Sequence, residues 1–390
     1  MRHIHSWVFI ASLVIASLGT ERSLSQAVSL PSDYAMDFQL ALIARPRQMG
    51  SSSEITGTPD NVLGDQVFNT LHNSLNLPFP WKLTLVNDSV VNAGSTGGGQ
   101  VYMHRGLMSL IGQNQGLWAA VLSHETAHTA LRHQVRVYLE QLYDARMIQY
   151  YRSRIAAGDK SANWGLIGFQ IAAPIALRKI ERDQEHQADQ QGMLLMAKSG
   201  YHPDYVFALH HLLQMRMGDQ SRVGTFFFSD HPRWETRDQR SDKVYADALA
   251  EFNRLWPHAE ASPGGAPPFV VFMGKPSAKE NKTVGTADVT IPLHCRNSNG
   301  PVNVILLFEK DHHPIKAADS QLANKDGNLA YLQRADCPDD GDTLVDLHVP
   351  AAAVADQDRS AKAVAYVARD MEPLAQSAAF DVHFPKPKKK

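Results

Sequence analysis

Twelve residues divide this chain into two different kinds of text. The run from Pro257 to Pro268 holds four prolines and two adjacent glycines. Neither a helix nor a strand accepts that composition, and it reads as a linker over 257–268. Before it, apolar residues recur every three or four positions through Gly116–Tyr151 and Lys179–Gly200, the period of a helix face. Gly200, followed by Tyr201-His202-Pro203, is a helix stop. After the linker come short β-rich or alternating runs: Phe269–Met273, Ala287–His294, Val302–Phe308, Thr343–Val349, Ala363–Ala368 and Ala378–Phe384. Turn clusters at Asn297–Gly300 and Asp339–Asp342 separate them. The expected layout is α+β: a mainly helical domain over 33–256, then a separate all-β domain over 269–385. About seven short strands in that second part suggest a small sandwich. Lys386–Lys390 forms a short basic tail that reads as a solvated end.

Composition narrows the function classes. At 390 residues, 44% apolar and 20% charged, the chain has material for two or three packed domains. A net charge of -2 gives no global field toward nucleic acid. At the N-terminus, Arg2, His3 and His5 precede an apolar run from Trp7 to Leu18, and Ser25-Gln26-Ala27 offers small residues for cleavage. Residues 1–27 therefore read as a secretory signal peptide, which implies export to the periplasm or outside; an uncleaved anchor is the alternative. The chain has two cysteines, Cys295 and Cys337, and in an exported protein they are expected to pair. Gly165–Leu177 is apolar apart from Gln170, too short to span a bilayer, and broken by Pro174. It reads as a buried or interfacial segment, with peripheral membrane contact as one use.

The chemistry gathers at His124-Glu125-Thr126-Ala127-His128. Residues four apart share a helix face, which lets two imidazoles converge on one zinc ion while the carboxylate at the second position flanks it as a general base. A hydrolytic zinc needs a third protein ligand and one open position. The metzincin pattern fails, because Leu131 and Gln134 stand where its glycine and histidine belong. On a continuous helix His133 would point away from the pair, five residues being about 140° of rotation. A second helical segment, Arg182 to Asp189, offers Glu185 and Asp189 four apart. Glu185 would ligate while Asp189 holds the far nitrogen of a ligating histidine. By charge pattern alone the same octet reads as a solvated face, and His186 is a further ligand candidate.

Four blocks taken together resemble the HtpX-type zinc metallopeptidases, the gluzincin group that includes the CAAX prenyl proteases. They are Asn92-Ala93 with Gly98–Leu107, Ala120–His128 running on to Arg132-His133, Arg182–Asp189, and Ser229–Pro232 with Arg237. The resemblance covers roughly residues 35–255 and implies a zincin-like fold with a small sheet beside the cleft. It implies one zinc per chain held by His124, His128 and Glu185, with Glu125 as base and Asp189 behind the ligands. It further implies a substrate-binding edge strand at Gly98, Gly99, Gln100, Val101 and Tyr102, and His231 as a switchable fourth ligand or oxyanion partner. Otherwise His231 caps a loop. The implied partner is a polypeptide, with misfolded envelope proteins as the family-level expectation. The competing reading is a periplasmic chaperone or binding module with little proteolysis. Cysteine-free donors favour the enzyme, because closed structural zinc sites usually contain cysteine.

Overall fold

The computed structural model describes residues 32–217, 234–298, 300–370 and 372–386. They fall into two compact units, 32–206 with 234–266, and 207–217 with 267–386. Helix-rich and sheet-rich regions follow each other along the chain, the expected α+β layout.

In the first unit α1 (Ser32–Met49) and α2 (Pro59–Asn73) precede a small sheet of β1 (Lys82–Val86), β2 (Ala93–Gly97) and β3 (Gln100–His104). Then come α3 (Arg105–Ile111), α4 (Gln115–Ala130), α5 (His133–Ala156) and α6 (Ser161–Lys198). α7 (Asp204–Met217) crosses the division between units, and α8 (Trp234–Leu255) returns to pack along α6. α4 is buried on nearly every side, from Gly116 through Thr129 except Leu117. A helix apolar or buried all round belongs to a core, and here the core encloses the polar pair His124 and His128. Asn114 caps α4, its side chain accepting from the Leu117 amide.

The sheet order is β1-β3-β2, with β1 parallel and β2 antiparallel to β3. This corrects the expected edge strand. Gln100, Val101 and Tyr102 lie in the central strand, hydrogen-bonded on both sides, and Gly98 and Gly99 form the turn. Both glycines have left-handed φ (57° and 82°), which ordinary residues avoid. The strand beside the buried helix is β2, tied to it by a 2.6 Å hydrogen bond between the Ser95 and Thr129 hydroxyls.

Two expectations about α6 also change. Pro174 sits inside an unbroken 38-residue α6. Its ring removes one backbone donor, and residues 170 and 174 are both exposed, so water can serve the freed carbonyl. Gly165–Leu177 is not buried, since Ile171 and Ile175 are each 63% exposed.

The segment 257–268 is not slack throughout. The Gly264 amide donates to the Gly200 carbonyl at 2.9 Å, and Pro263 and Trp256 close over Gly200. In the second unit, ten strands among the described residues form a four-stranded and a six-stranded sheet. Both contribute to one apolar core, with Val289, Ile291 and Leu347 from the first sheet and Val304, Leu306 and Val367 from the second. Several of the extra strands, such as Ser277–Asn281 and His313–Pro314, are short and polar. Cys295 and Cys337 are disulfide-bonded there, Cα atoms 5.9 Å apart. Phe207 packs edge-on against Phe272, and Arg296 lies over both rings.

Candidate metal centre

Three donors meet between α4 and α6. The Nε2 atoms of His124 and His128 are 3.1 Å apart. Glu185 Oε2 lies 3.4 Å from the first and Oε1 lies 3.4 Å from the second. All three side chains are buried, and among the described residues they form the one cluster of metal-ligating groups within reach of a common ion. Zinc bonds of about 2.0–2.2 Å at a tetrahedral angle separate neighbouring donors by about 3.3 Å. The spacings here match that, so the residues present fit the ion.

The close approach of the two helices depends on Gly192. A Cβ at that position would come within 3.1 Å of the His124 Cα and N. Gly192 lies about one turn beyond Asp189, so the absent side chain lets α6 press both carboxylates onto α4.

The far nitrogens of both histidines are occupied, by chemically different partners. His124 Nδ1 is 3.0 Å from Asp189 Oδ1. His128 Nδ1 is 3.0 Å from His133 Nδ1, and His133 Nε2 is 3.3 Å from Gln187 Oε1. The expectation that His133 faces away is wrong because α4 stops at Ala130. Leu131 and Arg132 turn the chain, Arg132 in the left-handed region at φ 58°, and α5 restarts at His133. Arg132 is pinned there by a two-point pair with buried Asp37, at 3.0 and 2.8 Å. Gln184 adds a bond to the His133 carbonyl at 3.2 Å.

Electrostatics follow from these contacts. Burial would lower the His124 pKa, but hydrogen bonds to Asp189 and Glu185 and the charges of both outweigh it, pushing it up to about 10. The carboxylates thus create a site that draws positive charge. Burial pushes His133 down to about 4 against the opposing Gln187 hydrogen bond. A neutral His133 with its proton on Nε2 donates to Gln187 and accepts from His128 Nδ1–H, leaving His128 Nε2 a bare lone pair.

Residues 64–244 match the family model described as Peptidase family M48. Over this segment the chain is similar to the M48 peptidases. The matched segment contains both histidines, Glu125, Glu185 and Asp189. The chain is similar to a Beta-barrel assembly-enhancing protease from Yersinia pestis, 29% identical over 259 residues, covering 64% of this chain and 49% of the relative. It is also similar to Mitochondrial metalloendopeptidase OMA1 from Schizosaccharomyces pombe, 26% identical over 186 residues, or 45% of this chain and 52% of that one. The Arabidopsis thaliana protein of the same name is 26% identical over 159 residues, covering 41% and 30%. The chain thus spans about half the length of the first two relatives.

Of the sequence-derived site residues, His124, His128, Glu185 and Asp189 come together, and Glu125 is buried on the same helix. His186 instead meets Gln190 at 3.0 Å. His231 lies outside the described residues, as does the 1–27 segment.

Proposed function

We propose that the chain is a zinc-dependent endopeptidase of the cell envelope, using one zinc per chain held by His124, His128 and Glu185. The observation that carries the reading is the donor triangle, with zinc-like spacings and with each histidine's second nitrogen already engaged. Three protein ligands leave one coordination position open, as in catalytic rather than structural zinc sites. Zinc, when bound there, supplies Lewis acidity toward the scissile carbonyl and toward water. Glu125, next to His124, takes the proton from the attacking water and returns it to the leaving amine nitrogen. Asp189 and His133 keep both ligand histidines in the Nδ1–H tautomer, with the lone pair on Nε2.

Substrate in this reading is an extended polypeptide from misfolded or envelope proteins. β3 has both edges taken, so a peptide that adds to the sheet near α4 would align with Ala93–Gly97 of β2. His231 enters as an oxyanion partner or switchable ligand, carried by the resemblance. Export by the N-terminal segment supplies the envelope location; no helix among the described residues is long and apolar enough to cross a membrane. Zinc analysis of the purified chain and casein digestion with and without a chelator test the reading. Less than about half an equivalent of zinc, or digestion indifferent to chelation, would overturn it.

The groups behind the ligands make a separate prediction. Asp189→Asn and His133→Ala should each weaken zinc affinity by about 10- to 100-fold, the usual cost of losing an outer partner. Competition with a chromophoric chelator measures this without any substrate. Wild-type affinity in His133→Ala would show that His128 is oriented by something else.

A further inference from the structure

The hairpin of α5 and α6 carries a surface that the metal site does not use. On α6, Trp164, Ile167, Ile171 and Ile175 follow helical spacing and fall on one face, extending about 16 Å. They are 78%, 47%, 63% and 63% exposed. Beneath them, Phe169 packs toward Tyr143 and Tyr151, and Tyr151 closes over Gly165, so the two helices already satisfy each other on the opposite side.

The surrounding charge is one-sided. From Ala145 to Ile180 the chain has six cations, Arg146, Arg152, Arg154, Lys160, Arg178 and Lys179, against one acid, Asp159. All six cations are exposed. Asp159 is engaged by Arg154, while the chain as a whole is net negative. Lys160 and Arg178 lie at the two ends of the apolar stripe on its own face.

We propose that this stripe is a docking surface for an anionic lipid bilayer, lying in the headgroup layer without crossing it. An apolar helix face with tryptophan, flanked by basic side chains, is the pattern of interfacial helices. A second copy of the same face is opposed by charge, because pairing would press two basic surfaces together. Glu185 lies ten residues beyond Ile175 on the same helix, about 15 Å along its axis. The docked hairpin holds the donor cluster close to the membrane surface.

The test uses the full chain and sedimentation with two kinds of vesicle, pure phosphatidylcholine and phosphatidylcholine with about a quarter phosphatidylglycerol. The expected result is binding to the anionic vesicles, weak binding to the neutral ones, and release by added salt. The double variant Ile171→Ser/Ile175→Ser should lower partitioning at least about tenfold, since two exposed isoleucines lose their burial in lipid. Unchanged zinc content and unchanged circular dichroism show that this variant is folded. The apolar run Trp7–Leu18 is present in both proteins, so equal binding of wild type and variant assigns the binding elsewhere and overturns the proposal. Equal binding to neutral vesicles, or none to anionic ones, also overturns it. So does a wild-type dimer that the variant dissociates in light scattering, or casein binding lost in the variant while vesicles are ignored.

Discussion

Replacing Glu125 with glutamine is expected to leave zinc content and thermal stability near wild type while casein digestion falls by about 10²- to 10⁴-fold, the usual worth of a positioned general base. Glutamine keeps the size and polarity of the buried side chain, 4% exposed on α4, but cannot take up a proton. Zinc analysis and digestion rates on the same preparation separate the two effects. Proteolysis at the wild-type rate in pure variant would remove Glu125 from the mechanism. Loss of zinc along with activity would make it part of the binding set instead.

The second large effect belongs to the donors. His128→Ala should reduce bound zinc from one equivalent to near none after dialysis, and proteolysis with it. Removing one of three ligands also leaves the Glu185 carboxylate, 3.4 Å from the lost nitrogen, without part of its setting, so the apo protein should unfold at lower temperature as well. Inductively coupled plasma analysis reads the metal and a melting curve reads the fold. A full equivalent of zinc in this variant would mean that the ion lies elsewhere, and the donor triangle would lose its assignment.

What could be read in the sequence was what is local. His124 and His128, like Glu185 and Asp189, are four apart on one helix, and a helix repeats that spacing faithfully. The choice between metal site and solvated face came from the two helices being brought together, which no local pattern records. His133 was missed for a sharper reason: Leu131-Arg132 contains neither glycine nor proline, yet Arg132 takes a left-handed conformation. Its cost is met by the pair with buried Asp37, ninety-five residues earlier in the chain. The misplacement of the edge strand has a similar origin. The glycine-rich turn announces a hairpin, but which arm lies outside depends on the parallel pairing of Lys82–Val86 with Gln100–His104. That pairing is settled by burial, not by the hairpin's own residues. Pro174 misled in the other direction, because proline breaks a helix when its freed carbonyl is buried and is borne when water reaches it.

α4, which supplies two donors, is the core helix of its unit and packs on α6, which supplies the third. A metal bound there would be a cross-link between the two helices that hold that unit together. Occupancy and folding then become one equilibrium, because an ion that binds the folded state alone adds RT ln(1 + [L]/Kd) to its stability. At a free concentration a thousand times the dissociation constant that is about 4.1 kcal/mol. The melting temperature of this protein should therefore rise with free zinc, and a compartment poor in zinc would hold a chain that is both inactive and easier to unfold.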